Sequence, residues 1–299
     1  SLHDTIMDFN KKLKENLIGM ASVYAFDFFK FIIKHGENNV FNFQNYLFGD
    51  IKISLDYIPH LANDLMPYII SFLGLTKKCI VVDLDNTLWG GIVGEDGFDG
   101  IRLGPQPPGN AFIEFQKYLK ALSQRGIILA INSKNNFDDA IKVIREHPFM
   151  VLKENDFSCM KINWNDKASN MREISEELKI GLESFVFFDD DPVNRALIRE
   201  IMPEIATPDL PHDPSSYSEV IQSLHDFSTF QITPEDSNRG QMYSEQKLRT
   251  KSQNSSSDIS EFLKTLNLEI DIKKTNGFTI PRISQLTLKT NQFNLTTKR

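Results

Sequence analysis

The sequence predicts an α/β fold in which a parallel β-sheet is flanked by helices. From Lys77 onward, short apolar runs rich in β-branched residues alternate with longer segments whose apolar residues recur at helical spacing. Such alternation is typical of a parallel sheet wrapped by helices. Polar residues follow several of the strand-like runs, at the edge of the sheet where ligands bind in this class of fold. A chain of 299 residues, 40% of them hydrophobic, is also long enough to bury a sizeable core.

The N-terminal segment, residues 1–75, is predicted to be mainly helical. Two helical patterns, DTIMDFNKKLKENLIGM and PHLANDLMPYIISFLGL, flank an aromatic and polar stretch at about residues 38–53. Asp56 and His60 lie in this segment without a recognisable serine nucleophile motif. We therefore interpret them as structural rather than catalytic residues.

Residues 76–212 form the predicted α/β domain. Its strands are predicted at 79–84, 127–131, 150–152, 185–188 and 205–207, and its helices at 111–124, 168–178 and 193–202. The pattern weakens in the third segment, residues 213–299. There the run KLRTKSQNSSSDIS has the composition of a linker, and ISEFLKTLNLEIDI then returns to a packed pattern.

Composition and charge exclude several classes of protein. A net charge of −7 argues against binding to nucleic acid, which depends on lysine and arginine contacts to phosphates. No apolar run approaches the ~20 residues that span a bilayer, and no export signal is recognisable. The two cysteines, Cys79 in a predicted strand and Cys159 in a predicted loop, are too few for a disulfide framework. We therefore expect a soluble cytoplasmic protein with neither a membrane nor a nucleic-acid partner.

The run CIVVDLDNTLW carries the most specific chemical signal. Its apolar first half predicts a strand, and Asp83, Asp85 and Thr87 follow directly after it. Because side chains alternate along an extended segment, these three can point in one direction. Two neighbouring carboxylates need a positive counter-charge, and Mg²⁺ is the natural candidate since it prefers hard oxygen ligands and substrate phosphate. An isolated motif of this kind is most often a solvated acidic turn. The rest of the sequence must therefore show whether it is a metal site.

Three further motifs supply that context. GIILAINSKNN is a second apolar run that ends in Asn132 and Ser133, DKASN carries Lys167, and SFVFFDDDP ends in three aspartates, Asp189 to Asp191. The order of carboxylate pair, serine, lysine and carboxylate pair resembles the four motifs of the haloacid dehalogenase (HAD) superfamily of aspartate-nucleophile phosphotransferases. The runs DLDNTLWGGIVGEDG, NWNDKASN and VFFDDDP resemble, more narrowly, its FkbH-like subgroup.

The resemblance implies a Rossmann-like parallel sheet and a role for each motif residue. Asp83 would be the nucleophile and Asp85 the general acid and base. Substrate phosphate would be bound by four residues: Thr87, Asn132, Ser133 and Lys167. The Mg²⁺ ligands would be Asp83, Asp85 through its backbone carbonyl, and Asp190 supported by Asp189. Which member of the last pair touches the ion stays open, with Asp191 as an outside candidate.

The resemblance also implies a domain organisation. Larger members of the subgroup are similar to a three-part chain, with an esterase-like part before the HAD domain and an acyltransferase-like part after it. Residues 1–75 would then be the end of an esterase-like domain. The start of an acyltransferase-like domain would lie at PRISQLTLKTNQFNL, which is incomplete, so we expect the chain to be a fragment of a larger protein.

Loop lengths predict an open site without an added cap domain. Only 33 residues, 134–166, separate Ser133 from Lys167, and residues 89–108 are long enough only for a glycine-rich flap. Glycines at 90, 91, 94 and 97 would let this flap approach a ligand. Glycine is, however, just as often present only because a turn requires it. An open site suits a phosphorylated substrate that is macromolecular or linked to a carrier protein.

Three functions remain in competition. The leading interpretation is a Mg²⁺-dependent phosphohydrolase that forms an aspartyl-phosphate. The resemblance also allows transfer of a glyceryl unit from a phosphorylated three-carbon intermediate to an acyl carrier protein, for which Cys79 or Cys159 would be candidate thioester sites. A phospho-accepting signalling module belongs to a different class. The order of the motifs disfavours it, because Lys167 precedes the last acidic cluster.

Overall fold

A computed structural model describes residues 2–17, 20 and 23–228, together with the single positions 272, 274, 275 and 280. The chain divides into two compact units, residues 1–247 and 248–299, and the features below all belong to the first. The linker-like run, the packed pattern after it and the predicted acyltransferase-like start lie outside the described residues. The limits of the three predicted domains therefore stay predictions.

The N-terminal segment is helical, as predicted. It contains five helices: α1 (Leu2–Leu17), α2 (Phe28–His35), α3 (Glu37–Val40), α4 (Phe43–Gly49) and α5 (Ile58–Phe72). The helices α1 and α5 correspond to the two helical patterns in the sequence. The stretch between them, expected only to be aromatic and polar, forms α3 and α4 and one antiparallel bridge between Phe41 and Ile53. His60 packs against the rings of His35 and Tyr57.

The α/β part contains four strands and six helices. The strands are β1 (Cys79–Val82), β2 (Ile128–Ser133), β3 (Phe157–Ile162) and β4 (Phe185–Phe188). The helices are α6 (Val93–Gly100), α7 (Gly109–Gln124), α8 (Phe137–Glu146), α9 (Lys167–Leu178), α10 (Pro192–Ile201) and α11 (Tyr217–Ser223). Strand and helix alternate along this part of the chain, which confirms the predicted fold class.

The four strands form one parallel sheet in the order β3-β2-β1-β4. Its central strand, β1, is fully buried, because helices cover both faces of the sheet. Alternate residues of β1 join separate apolar clusters: Ile80 packs on the face that α7 covers, and Val81 on the face that α9 covers. Both faces of the sheet are thus covered. Because the strands are parallel, the C-terminal ends of β1, β2 and β4 lie at the same edge, which we call the carboxyl edge.

Two predicted strands are wrong. Residues 150–152 form no strand, because the backbone N–H groups of Val151 and Leu152 donate to the side chain of Gln116 rather than to a neighbouring strand. The third strand is β3, so Cys159 is buried in the sheet and not placed in a loop. Residues 205–207 make only one bridge, between Ala206 and Val186 at the edge of β4.

The described C-terminal residues of this unit pack on the α/β core. Tyr217, Ile221 and Phe227 are buried in the same apolar cluster as Phe112 and Phe115 of α7. The rings of Phe115 and Tyr217 meet edge to face, with centroids 5.6 Å apart. Helix α11 therefore completes the face of the sheet that α7 covers.

No domain is inserted at either point where one was considered. Residues 134–166 contain only α8, a short 3-10 helix and β3, and residues 89–108 contain α6 and little else. We call residues 89–108 the flap. Its two ends are tied together, since Gly90 and Arg102 exchange both backbone hydrogen bonds, at 3.0 and 2.7 Å. Neither of these two segments therefore covers the carboxyl edge of the sheet with a domain.

Among the described residues, no helix is long and apolar enough to cross a membrane.

Candidate active site

The carboxyl ends of three neighbouring strands bring the predicted motifs together. Asp83 directly follows β1 and donates its backbone N–H to the carbonyl of Phe188, the last residue of β4, at 2.9 Å. Ser133 is the last residue of β2, and Asp189 directly follows β4. Lys167 opens α9 and is 2% exposed. One buried polar cluster therefore forms at the edge where ligands bind in parallel α/β sheets.

Three carboxylates lie close enough to share one ion. Asp83, Asp189 and Asp190 each offer an oxygen, and these oxygens all lie within 4.8 Å of one another. Asp189 is fully buried and Asp83 is 8% exposed. Burial, together with the charges of Asp83 and Asp189, raises the pKa of Asp190 to about 7. The cluster therefore favours the binding of a cation or a proton.

Lys167 supplies the cluster with one fixed positive charge. Its Nζ lies 2.9 Å from Oδ1 of Asp83 and hydrogen-bonds Asp189. Burial alone would lower the pKa of Lys167, but the charges of Asp83 and Asp189 outweigh burial and raise it. The lysine thus stays protonated at neutral pH. One lysine does not neutralise three ionised carboxylates.

One oxygen in the cluster is left for a further ligand. Oδ1 of Asp83 is buried, and among the described residues no donor meets it in hydrogen-bond geometry, although Lys167 is near. An unsatisfied buried carboxylate oxygen is costly. Oxygen ligands at this spacing suit a hard divalent cation. The residues present therefore fit a metal ion, with ligands drawn from Asp83, Asp189 and Asp190.

Asp85 has a different environment from the three carboxylates. Its Oδ1 accepts hydrogen bonds from Trp89 Nε1 at 2.8 Å and from the backbone N–H of Val93 at 3.1 Å, and its Oδ2 accepts from Asn135 Nδ2 at 2.8 Å. Burial raises the pKa of Asp85 more strongly than these donors lower it. A carboxyl group with a raised pKa, held in one orientation, is suited to proton transfer. Its side chain is not part of the three-carboxylate cluster.

Thr87 and Asn132 lie behind the groups that face the site. The Thr87 hydroxyl accepts from the backbone N–H of Asp190 at 3.2 Å and lies 3.4 Å from its Oδ1. The Asn132 amide donates to the carbonyl of Lys167 at 2.9 Å and accepts from Asn170 at 3.0 Å. Both side chains are fully buried. Thr87 thus holds Asp190, and Asn132 holds the start of α9 at Lys167. That either side chain binds substrate phosphate stays a prediction.

Ser133 faces the site, since side chains alternate along β2 and Asn132 points towards α9. Its hydroxyl lies 3.5 Å from Nδ2 of Asn135, the residue that also holds Asp85. Asn135 therefore links the Ser133 hydroxyl to the carboxylate of Asp85.

Four residues that sequence reasoning did not single out complete the site. Trp89 and Asn135 hold Asp85, as described above. Arg195 donates from Nη1 to the carbonyls of Asp189 and Asp190, at 2.8 and 2.7 Å, and so fixes the loop after β4. The Tyr217 hydroxyl donates to the carbonyl of Asn86 at 3.1 Å.

Only some of these residues had a signal in the sequence. Asn135 lies two residues after Ser133, and Arg195 lies in the first turn of the helix that follows the aspartates. Tyr217 is distant in the sequence from every motif and carries no local signal. Burial raises its pKa to about 12, with Asp190 as a further cause, so its hydroxyl remains a donor at neutral pH.

Both cysteines are buried, Cys79 in β1 and Cys159 in β3. Burial raises the pKa of Cys79 far above its usual range. A thiol becomes a nucleophile only as the thiolate, so Cys79 is a small apolar core residue here. Neither cysteine is positioned to carry an acyl group on the surface.

Comparison with known proteins finds similarity among solved structures. No family model matches the sequence, and no curated protein matches it. Among solved structures, the chain is similar to the N-terminal part of the protein BF1531 from Bacteroides fragilis, which contains a phosphatase domain and was crystallised in complex with Mg. The two are 37% identical with a TM-score of 0.69 over 77% of this chain. The match spans 61% of that structure's chain.

The sheet, the motif order and this relative together support a HAD-like phosphatase fold. The similarity covers most of the present chain, and the acidic cluster described above could bind a metal ion. The chain is thus similar to a phosphatase domain in its fold.

Proposed function

We propose that this chain is a Mg²⁺-dependent phosphohydrolase that acts through an aspartyl-phosphate on Asp83. The observation that carries the proposal is the buried cluster at the carboxyl edge, in which Asp83 lies beside Lys167 and two further carboxylates. The solved relative, which holds Mg, supports the choice of metal. Asp83, Asp189 and Asp190 would hold the ion, and the backbone carbonyl of Asp85 would be a further ligand.

The first step forms a bond between Asp83 and phosphorus. A carboxylate oxygen of Asp83 attacks the phosphorus atom, and the bond between phosphorus and the leaving oxygen breaks. Asp85 donates its proton to that leaving oxygen, which departs as an alcohol or an acid. When bound, Mg²⁺ offsets the repulsion between the anionic nucleophile and the anionic phosphate.

The second step returns the enzyme to its starting state. Asp85, now ionised, takes a proton from a water molecule, and the water oxygen attacks phosphorus. The bond between phosphorus and the Asp83 oxygen breaks, which releases inorganic phosphate and leaves Asp83 ionised and Asp85 protonated. The raised pKa of Asp85 supports both roles, since the group must hold a proton and accept one at near-neutral pH.

Two further residues would bind the phosphoryl oxygens. Lys167 places a fixed positive charge against Asp83, and Ser133 offers a hydroxyl at the end of the adjacent strand. Thr87 and Asn132, which the sequence motifs placed among the phosphate ligands, would act through Asp190 and Lys167. Positioning and electrostatics of this kind account for most of the catalysis in phosphoryl transfer.

The substrate would be a phosphorylated compound that can reach an edge without a cap domain. Glyceryl transfer to a carrier protein is the alternative that the FkbH-like resemblance implies. The buried Cys79 and Cys159 argue against a version in which this chain's own thiol carries the glyceryl group. Asp85 argues against a phospho-accepting signalling module, because a general base beside the phospho-aspartate promotes its hydrolysis.

The test is phosphate release from a panel of phosphorylated metabolites, with Mg²⁺ or with a chelator, by the wild type and Asp83→Asn. We expect release that requires Mg²⁺ and is abolished in Asp83→Asn. A suitable control is Asp50→Asn, because Asp50 is exposed after α4, is not part of the cluster, and asparagine tolerates its left-handed backbone (φ 53°). Release that Asp83→Asn leaves unchanged would overturn the proposal.

A further inference from the structure

A cavity of about 480 Å³ opens directly beside the carboxylate cluster. Asp190 lies in its wall, so the cavity is continuous with the proposed metal site. Gly90 and Gly91 of the flap form one side, and residues 211–214 with Tyr217 form the other. Its volume lies in the range of small-molecule binding sites, roughly 300–1,000 Å³. It is larger than the phosphate group itself requires.

Most polar groups in the wall of this cavity already have partners. The Asn86 side chain accepts from the backbone N–H of Gly91 at 2.8 Å, and its carbonyl accepts from Tyr217. The carboxylate of Asp213 accepts from the backbone N–H of Ser215 at 2.9 Å. Asp190 belongs to the three-carboxylate cluster. These contacts shape the cavity, and the carboxylates of Asp190 and Asp213 have the wrong sign of charge to bind an anionic ligand group.

Arg102 is the exception in the wall of the cavity. Its side chain is exposed, and within the described part of the chain no carboxylate pairs with it. Its backbone is fixed, because Gly90 and Arg102 exchange two hydrogen bonds that close the flap. The guanidinium is therefore a positive charge without an ion-pair partner among the described residues, and the backbone that carries it is fixed. His212, across the cavity on the 211–214 segment, adds a ring nitrogen.

Gly90 is where the chain needs a residue without a side chain. A Cβ at this position would meet Cε2 of Phe112 at 2.9 Å and Cβ of Arg102 at 3.2 Å. The strand-like end of the flap therefore packs directly against α7, and Arg102 is carried at the rim of the cavity rather than away from it. This packing fixes the Cβ of Arg102, from which the guanidinium extends along the wall of the cavity.

We propose that this cavity binds the part of the substrate beyond the transferred phosphate, and that Arg102 binds an anionic group there. The inference rests on the proposed phosphohydrolase function and deepens it. The substrate class is a phosphorylated compound with a second anion, either a carboxylate or a second phosphoryl group. A guanidinium fork recognises both, since each presents paired oxygens.

The experiment compares matched substrates that differ only in the second anion. Carboxymethyl, 2-carboxyethyl and 3-carboxypropyl phosphate are paired with ethyl, propyl and butyl phosphate. Ethane-1,2-diyl bisphosphate and its longer homologue form a third arm, which separates a carboxylate from a phosphoryl preference. The chain-length series also reports how far the guanidinium lies from the reacting phosphate.

Three variants separate the charge of Arg102 from other effects. Arg102→Gln removes the charge, and Arg102→Lys keeps it without the fork. Arg125→Gln removes an exposed positive charge at the far end of α7 and is the control. Hydrogen bonds to charged groups contribute ~1.5–3 kcal/mol, which corresponds to roughly 10- to 100-fold in kcat/KM.

We expect the wild type to prefer the doubly anionic member of at least one pair by roughly 10-fold or more. Arg102→Gln should remove that preference and leave turnover of the alkyl phosphate within about 2-fold, which also shows that the variant is folded. Arg102→Lys should retain part of the preference, and Arg125→Gln all of it. Equal turnover within every pair, or a preference that survives in Arg102→Gln, would overturn the inference while the proposed function stands.

If no substrate is hydrolysed, a binding measurement still distinguishes the proposed role of the cavity from the proposed phosphohydrolase activity. Isothermal titration calorimetry with Mg²⁺ present measures the same pairs directly. Tighter binding of the doubly anionic members that is lost in Arg102→Gln would support the cavity and overturn only the phosphohydrolase. Absence of both turnover and Arg102-dependent binding would overturn both.

Discussion

Individual residues in the cluster depend on buried neighbours that hydrogen-bond their side chains or backbone. Thr87 is the clearest case, because its hydroxyl both accepts from the backbone of Asp190 and lies against that residue's carboxylate. Asn132 has the same relation to the start of α9 and Lys167. Residues that orient metal ligands in this way commonly affect metal affinity as strongly as a weak ligand does.

Replacement of Thr87 by valine should weaken Mg²⁺ binding without unfolding the protein. Valine has nearly the same shape but cannot hydrogen-bond, so Asp190 loses both its contacts to position 87. We expect roughly a 10-fold rise in the Mg²⁺ dissociation constant. Isothermal titration calorimetry would measure it, with Thr207→Val as the control, since Thr207 is buried outside the site. An unchanged affinity would show that Thr87 does not position Asp190.

Asp190 also predicts how Mg²⁺ binding depends on pH. Its pKa of about 7 in the folded state lies above the ordinary 3.8, so between these values the folded protein holds a proton that the unfolded chain has released. This group therefore contributes less to the stability of the metal-free protein as pH rises towards 7. Below pH 7, Mg²⁺ must displace that proton, whereas above pH 7 it binds a carboxylate that is already ionised.

The increase in melting temperature caused by Mg²⁺ should therefore be larger at pH 8 than at pH 6. Thermal denaturation at both values, with Mg²⁺ or with a chelator, measures it. Asp190→Asn should remove most of the difference between the two pH values. An equal Mg²⁺ shift at pH 6 and pH 8 in the wild type would contradict the assignment of Asp190 to the metal site.

The sequence predicted those site residues that lie in a motif. It did not predict residues that reach the site from a distant part of the chain. Asp83, Ser133, Lys167 and Asp189 follow or open predicted elements, and the structure brings all four together. Tyr217 reaches the first motif loop from α11, 131 residues along the chain from Asn86. Contacts of that kind depend on packing, which no local pattern contains.

Helices and strands are linked by single buried side chains as well as by apolar packing. Gln116 of α7 is the strongest example. It donates to the carbonyl of Leu88 at 2.7 Å, and its Oε1 accepts from the backbone N–H groups of Val151 and Leu152, at 2.8 and 3.2 Å. One fully buried amide thus connects α7 to the first motif loop and to the segment before β3.

Replacement of Gln116 by leucine should be strongly destabilising. The three backbone groups would stay buried without partners, and each unsatisfied group costs about 1–3 kcal/mol, so we expect a loss of about 3 kcal/mol or more in the free energy of unfolding. Urea denaturation would measure it. Gln222→Leu is the control, because Gln222 is exposed on α11 and should change stability by less than about 0.5 kcal/mol. Equal stabilities of the two variants would contradict the proposed role of Gln116.

The same contacts explain why one strand was predicted in the wrong place. Met150 and Leu152 are buried, as a strand would be, but the backbone between them is satisfied by Gln116. The true strand, β3, carries polar residues such as Ser158 and Lys161, which hide its pattern. In contrast, β1 and β4 are wholly apolar and fully buried, so their positions were predicted to within two residues.

Across the described part of the fold, the carboxyl edge of the parallel sheet has no inserted cap domain and lies beside a cavity. Arg102 lines this cavity next to the cluster of three carboxylates and Lys167, and no described carboxylate pairs with it. The overall fold was predictable because the strand and helix patterns of the core are strong. The cavity was not, since its walls come from the flap, α7 and the 211–217 segment, which only tertiary packing brings together.

The measurement that tests the phosphohydrolase most directly is chemical trapping of a covalent intermediate. The protein is mixed with Mg²⁺ and p-nitrophenyl phosphate, whose good leaving group needs little protonation, and is quenched during turnover. Borohydride then reduces an aspartyl-phosphate to homoserine, and peptide mass spectrometry locates it. Asp85→Asn should accumulate the intermediate, because water attack lacks its general base. We predict homoserine at position 83, more in Asp85→Asn than in the wild type, and none without Mg²⁺; phosphate release with position 83 unmodified in both proteins would contradict the proposed mechanism.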